Sequence, residues 1–168
     1  MTLSNSNQTF GLRYMQLDIS RETAHELPGV NFTDSIKLCE FVSRVSSNET
    51  GMVCFLKVTF DDPKALEKSN PAFELIEIIS QTKNAALIKA QTLGPLPKIF
   101  SSNEEVWWIN PTYVNRTGMK ITLKGTRKGM RSLREEVFKL VGNGYKVILG
   151  SESVQNPEFV DLLPEKQR

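Results

Sequence analysis

Residues 119–151, MKITLKGTRKGMRSLREEVFKLVGNGYKVILGS, carry the clearest fold signal in the chain. Apolar and polar residues alternate in MKITLKGT, which predicts a strand over 119–126 with one buried face. Residues 128–141 place apolar side chains at helical spacing, so they predict an amphipathic helix that ends at Gly142. YKVILGS, at 145–151, is typical of a closing strand. This order predicts a helix packed against a sheet.

The remaining sequence extends this pattern into two similar series of elements. The first series has predicted strands at about 9–18, 36–45, 52–60 and 73–80, with short helices after Ser20 and after Asp62-Pro63. The second has predicted strands at about 84–92, 105–114, 119–126 and 145–151. Its first helix is reduced to at most one turn, because two prolines interrupt 94–103. Each series approximates the order β-α-β-β-α-β of a ferredoxin-like unit.

We therefore predict an α+β fold of two tandem, diverged ferredoxin-like units with antiparallel sheets, although a single larger sheet would give the same order. The predicted parts are a disordered tail at 1–8, unit 1 at 9–82, unit 2 at 83–152 and a linker at 153–168. In strand 73–80, FELIEIIS, the isoleucines suggest burial on both faces or a contact between sheets. A symmetric homodimer is therefore expected.

The composition favours a globular protein without catalytic chemistry. Of 168 residues, 39% are apolar and 24% are charged, and neither a secretory signal nor a membrane-length apolar run is present. We expect a cytoplasmic protein that makes no membrane contact. With one histidine, two cysteines and no phosphate-loop, dinucleotide or zinc-hydrolase motif, the chain is not expected to be an enzyme or to bind a metal or cofactor.

Four residues that often carry chemistry have simpler interpretations here. Cys39 and Cys54 lie in apolar runs and are predicted to be small buried hydrophobes. His25 lies in a polar stretch without a partner nearby in sequence, so we expect it at the surface. Asp62 precedes Pro63 and predicts the start of a helix rather than a metal ligand.

The first candidate binding feature is aromatic, and consists of Trp107, Trp108 and Tyr113. Neighbouring residues of a strand face opposite sides, so one tryptophan should enter the core and the other should lie on the second face. One interpretation is that both indoles are packed, one in the core and one against the neighbouring unit. The other is an aromatic wall for an apolar or planar ligand, or a dimer surface.

The second candidate feature is basic. Residues 1–94 contain nine basic and eleven acidic groups, whereas residues 95–168 contain twelve and eight. The basic residues concentrate in one stretch, at Arg116, Lys120, Lys124, Arg127, Lys128, Arg131 and Arg134. Those in the first turns of the predicted helix oppose its dipole, which favours an anionic effector or DNA phosphate as their ligand. A solvated helix face is the alternative.

The sequence from Leu163 to Arg168, LPEKQR, resembles the start of the helix-turn-helix domain in archaeal regulators of the bacterio-opsin activator type. The order of elements over roughly 50–168 is similar to the N-terminal region of that family, including a tryptophan-bearing strand and the stretch REEVFKLVGNGYKV. The resemblance implies a regulatory domain that ends just before a DNA-binding domain, so DNA would be bound only through that missing domain.

Three functions remain open from the sequence. The resemblance implies a regulatory or sensor domain of a transcription regulator, which binds an unidentified small anionic or aromatic effector or a partner. The alternative is an RRM-like module that binds single-stranded nucleic acid through stacking on a tryptophan and through the basic stretch. An enzyme is the third possibility, and the shortage of histidine, cysteine and paired carboxylates argues against it.

Overall fold

A computed structural model of the protein describes residues 12–23, 35–142 and 145–151. Its elements in chain order are β1 (Arg13–Ser20), β2 (Ile36–Asn48), β3 (Gly51–Phe60), a short 3₁₀ helix (Pro63–Glu67), β4 (Phe73–Gln81), β5 (Ala85–Thr92), α1 (Pro95–Ser102), β6 (Val106–Asn115), β7 (Gly118–Gly125), α2 (Arg127–Val141) and β8 (Tyr145–Ser151). The eight strands form one antiparallel sheet in the order β4-β5-β3-β2-β6-β7-β1-β8. The α+β class and the antiparallel pairing are thus confirmed.

β1 does not pair with β2 or β3, the strands that follow it in sequence, but lies near the opposite edge of the sheet. β1 lies between β7 and β8, with Arg13 opposite both Gly125 and Ser151. The prediction instead assigned β1 to a unit made of residues 9–82, so the tandem ferredoxin-like arrangement is not confirmed. Alternation of apolar side chains identifies a strand from its own residues, but it does not identify the strand beside it.

The sheet narrows in the middle, at the pairing of β2 with β6. Only Leu38–Glu40 pair with residues 113–115 of β6, whereas the pairing of β2 with β3 runs from Ile36 to Asn48. This short pairing divides the sheet into two halves, β4-β5-β3-β2 and β6-β7-β1-β8. Helix α1 contacts β2, β3, β6 and α2, so it bridges the two halves.

Local sequence explains α2 and β7 well. The side chain of Thr126 caps α2 by accepting a 2.9 Å hydrogen bond from the Gly129 amide, and Met130, Leu133 and Val137 are buried. Gly118 begins β7 with a φ of +143°, and a Cβ there would lie 2.9 Å from the Ser20 Cα. Glycine is therefore required for β7 to pack closely against β1.

Helix α1 is longer than the sequence predicted. Pro95 and Pro97 both lie in the first turn of an eight-residue helix, where the backbone amides lack intrahelical acceptors. The prolines therefore do not interrupt the helix, and the prediction of at most one turn was wrong. Leu96 and Phe100, one turn apart on α1, are both buried against the sheet.

Strand β4 lies at the edge of the sheet, so the predicted burial on both faces is wrong, while the alternative of a contact between sheets stays a prediction. Ile76, Ile78 and Ile79 are 41–49% exposed, while Phe73 at the start of the strand is buried. Edge strands have a neighbour on one side only, and within 12–23, 35–142 and 145–151 no residue covers these side chains. The predicted tail at 1–8, most of the helix after Ser20, and the segment 153–168 lie outside the described residues.

Candidate functional site

An apolar cavity of about 100 Å³ lies between the two halves of the sheet, beside the segment that leads into α1. We call it the junction cavity. Its wall is formed by side chains of β2, β3, β6 and β7, by the start of β4 and by residues 92–97. The wall includes Cys39, Phe41, Leu56, Phe73, Leu96, Trp108, Tyr113, Met119 and Ile121.

The two threonines on this wall are already engaged. The Thr92 hydroxyl accepts a 2.9 Å hydrogen bond from the Met52 amide and donates to the Met52 carbonyl. The Thr112 hydroxyl donates to the Ile109 carbonyl at 2.7 Å and accepts from the Thr122 amide. Because the fold satisfies these hydroxyls, the junction cavity offers a ligand mainly carbon and sulfur surface.

Trp108 is held rigidly beside the junction cavity. Its ring makes edge-on contacts with Phe41 and Phe100, each with ring centroids 5.3 Å apart. Its indole Nε1 is buried and has no hydrogen-bond partner among the residues that the structure describes. Buried donors are almost always paired in folded proteins, so this nitrogen is an exception.

The two tryptophans separate as the strand geometry predicted. Trp108 packs against the core and lies opposite Leu123, whereas Trp107 lies opposite Lys124 on the other face of the sheet. Trp107 borders an open surface depression between β2 and β6 and is absent from the junction cavity. Of the three predicted aromatic residues, the cavity therefore brings together Trp108 and Tyr113.

A bulge in β6 lies between those two aromatic residues. Ile109 is opposite Thr122 and Tyr113 is opposite Lys120, so three residues of β6 face a single residue of β7. The bulge is stabilised by buried polar contacts, including a 2.6 Å hydrogen bond that the Thr122 hydroxyl donates to the Pro111 carbonyl. The chain on either side of the bulge, at Trp108 and Tyr113, borders the junction cavity.

Neither cysteine supplies a nucleophile. Both thiols are free and buried, as the sequence predicted. Burial raises the pKa of Cys54 to about 12 and raises the pKa of Cys39, on the cavity wall, still further. Both therefore remain protonated near neutral pH. Within 12–23, 35–142 and 145–151, no three histidine, cysteine or acidic residues are grouped to hold a metal ion.

The predicted basic residues do not form one site. Arg127 and Arg131 line a broad open depression along α2, together with Arg13 and Arg134, and we call this the arginine depression. Lys128 is exposed but is not part of its wall.

The two lysines of β7, Lys120 and Lys124, contact side chains of β1. Lys120 lies 4.0 Å from a carboxylate oxygen of Asp18, in a partly exposed ion pair. The Lys124 ammonium lies 5.3 Å from the centre of the Tyr14 ring, which is buried. Both lysines thus have partners within the sheet, and both lie outside the arginine depression.

Most of the cavity wall escaped sequence-based reasoning. Phe41, Leu56, Met119 and Ile121 read as ordinary core residues, because nothing in their local pattern marks a gap in packing. The four-residue spacing of Leu96 and Phe100 was the one available signal for α1, and the neighbouring prolines obscured it.

No protein-family model, curated protein or solved structure matches the chain. Neither α1 nor α2, the helices of the described segments, is long and apolar enough to cross a membrane.

Proposed function

We propose that this chain is the sensor domain of a transcription regulator, and that it binds a small apolar or aromatic effector in the junction cavity. The cavity is the observation that carries the proposal. Its wall is apolar and only partly open to solvent. An apolar ligand that fills this space removes apolar surface from water, as benzene does in an engineered cavity of about 150 Å³.

The position of the cavity supports a role in signalling. Its wall includes residues 92–97, which lead directly into α1. The side chain of Asn103, at the end of α1, donates a 3.1 Å hydrogen bond to the Gly129 carbonyl in α2. Helix α2 in turn precedes β8, which ends at Ser151. A ligand that shifts residues 92–97 can therefore influence the region that leads towards residues 163–168.

The transcriptional part of the proposal rests on the resemblance of LPEKQR, at 163–168, which lies outside the described residues. We propose that a DNA-binding helix-turn-helix domain follows it and that the regulator acts in the cytoplasm. Sequencing the gene downstream of the Arg168 codon tests this directly. A reading frame that closes without a helix-turn-helix would contradict the regulator role while leaving the ligand site open to test.

Effector binding is tested by thermal unfolding of the whole chain with single-ring aromatic compounds. A ligand that binds only the native state raises Tm. At a concentration one hundred times its Kd, it adds about 2.7 kcal/mol to the free energy of unfolding. Trp107→Phe leaves Trp108 as the only tryptophan, so its fluorescence reports on the cavity wall. The proposal is wrong if no such compound changes either Tm or Trp108 emission.

A matched pair of variants locates the binding. Leu56→Phe adds volume to the cavity wall, whereas Leu17→Phe adds the same volume at a fully buried position elsewhere in the core. Both should lose stability through overpacking, by about 1–3 kcal/mol. Only Leu56→Phe should lose the rise in Tm with ligand. Equal loss in both variants would place the ligand outside the junction cavity.

The proposed homodimer draws support from β4. Ile76, Ile78 and Ile79 are exposed apolar side chains on this edge strand, which a second copy could cover. Analytical ultracentrifugation of the chain and of Ile78→Lys tests this. We expect a dimer that weakens on substitution, and a monomer for the unaltered chain at all concentrations would refute it.

A nucleic-acid-binding module is the second candidate, and the arginine depression is the feature that favours it. Arginine side chains bind phosphate in a manner that weakens steeply with salt. Stacking on Trp108 receives less support, because Phe41 and Phe100 already contact its ring. Titration of single-stranded RNA at two salt concentrations separates the candidates. We expect this module to bind at low salt and to lose affinity at high salt. No binding at all, or binding that is unchanged at high salt, would argue against it.

A further inference from the structure

The arginine depression lies beside the point where the chain leaves the sheet after β8. Arg13 lines the depression, and in the sheet it lies opposite both Gly125, just before α2, and Ser151, the last residue of β8. The segment that follows Ser151 therefore starts at the Arg13 end of the depression. A segment tethered so closely has a high effective concentration there.

The face of α2 that lines the depression combines positive charge with a large apolar side chain. Four of its side chains are spaced four, three and four residues apart, which places them on one side of the helix. They are Arg127, Arg131, Arg134 and Phe138. Phe138 is 54% exposed, and in the described segments no carboxylate forms an ion pair with these three arginines.

The lining of the depression is positive overall. It contains four arginines and Lys139, but only one acidic residue, Glu135. The arginines in the first turns of α2 also oppose the helix dipole, whose positive end lies at the start of the helix. An occupant that brings carboxylates and apolar side chains together would match this surface.

Residues 152–165, ESVQNPEFVDLLPE, have that composition. Four of them are acidic and none is basic, and an apolar cluster at 159–163 contains Phe159 and two leucines. The segment 1–11 precedes β1 at the same end of the strand, but it has no charged residue. Charge complementarity therefore selects 152–165 as the occupant.

The segment is also long enough to follow α2. Eleven residues separate Arg127 from Phe138, which corresponds to about 17 Å along the helix axis. Phe159 is eight residues beyond Ser151, a distance of up to roughly 26 Å in an extended chain. Phe159 is therefore within reach of Phe138.

We propose that residues 152–165 dock in the arginine depression, with their carboxylates against the arginines of α2 and their apolar cluster against Phe138. The proposal goes beyond the sensor function and does not depend on a ligand in the junction cavity. It makes the depression an interface within the chain, which a polyanion enters only by displacing the segment.

Disulfide trapping in the full chain tests the contact. Val160→Cys is combined with Glu135→Cys, which lies in the depression, or with Glu136→Cys, the neighbouring position that does not line it. Cys39 and Cys54 do not compete, because both thiols are buried and burial raises their pKa. Under oxidised glutathione, we expect the Glu135→Cys pair to form its intramolecular disulfide about tenfold faster, measured by mass spectrometry.

Charge reversal identifies what holds the segment. Arg131→Glu with Arg134→Glu should lower that rate to the value of the Glu136→Cys pair. Adding Glu158→Lys with Asp161→Lys should restore it, and this rescue shows that the first pair did not simply unfold the protein. Equal rates at positions 135 and 136, or a rate that charge reversal leaves unchanged, would overturn the proposal. A disulfide formed only between two chains would also overturn it, because the occupant would then be a second copy.

Binding of heparin gives a second test. If the segment occupies the depression nine-tenths of the time, its release tightens heparin binding about tenfold. Glu158→Gln with Asp161→Asn should have this effect. Glu74→Gln with Glu77→Gln is the matched control, since it removes the same charge from exposed positions of β4, at the opposite edge of the sheet from β8. Equal gains in the two variants would show that net charge alone matters and would contradict docking.

Discussion

The junction cavity and the arginine depression are built in opposite ways. The cavity wall comes from residues between Cys39 and Ile121 in several strands, and it is apolar and partly enclosed. The arginine depression is open, and three of its four arginines lie within two turns of α2. The comparison shows that shape-based binding needs the whole fold, whereas charge-based binding is available from one helix face.

The largest expected difference between the two regions is in stability. Trp108→Ala should lower the free energy of unfolding by about 3–5 kcal/mol, because it removes a ring that packs against Phe41 and Phe100. Trp107→Ala is the matched control and should cost clearly less, since Trp107 is not packed against the core. Urea unfolding measures both, and equal losses would mean that the cavity wall is no better packed than the opposite face.

A second, intermediate effect concerns pH. Burial raises the pKa of Cys54 to about 12 from an ordinary value of 9.0. Above pH 9 the unfolded state loses this proton while the folded state keeps it, so stability falls as pH rises from about 9 towards 12. The slope is up to about 1.4 kcal/mol per pH unit for this thiol.

Cys54→Ala tests the origin of that slope. Unfolding by urea at a series of pH values should show a shallower fall in stability for Cys54→Ala than for the unaltered chain. The Cys39 thiol contributes in the same direction, because burial raises its pKa as well, so the double variant should be shallower still. Parallel curves for all three proteins would show that the buried thiols do not govern the alkaline limit.

The smallest effect on stability is expected in the arginine depression. Arg131→Gln should change the free energy of unfolding by less than about 0.5 kcal/mol, because Arg131 is exposed on α2. It should nevertheless weaken binding of a polyanion such as heparin, measured by salt elution. Lys128→Gln removes the same charge one turn away but outside the depression, so similar elution of both variants would show that only net charge matters.

The local sequence pattern was sufficient to predict many of the strands and helices and one part of the candidate site. The alternation in MKITLKGT located β7 at 118–125, one residue from the predicted bounds, and YKVILGS gave β8 with the predicted bounds. The separation of Trp107 from Trp108 also followed from strand geometry alone. These features depend on residues that are close together in the chain, so the local sequence is sufficient to predict them.

What depends on distant residues was not predicted. The placement of β1 between β7 and β8 rests on contacts such as that between the side chains of Gln16 and Thr122, which lie 106 residues apart. The junction cavity likewise exists because β2 and β6 diverge after three paired residues. No pattern within either strand encodes that divergence, since the polar and apolar residues on both sides look like those of an ordinary sheet.

The position of β1 has a consequence for synthesis of the protein. β1 is the first described strand to leave the ribosome, yet its neighbours β7 and β8 are translated last. At typical elongation rates, the 106 residues that separate Gln16 from Thr122 take roughly 5 to 20 s to make. During that interval the half β4-β5-β3-β2 has all its strands, whereas β1 has none of its partners. We therefore expect β1 to pair with β7 and β8 in one of the last steps of folding.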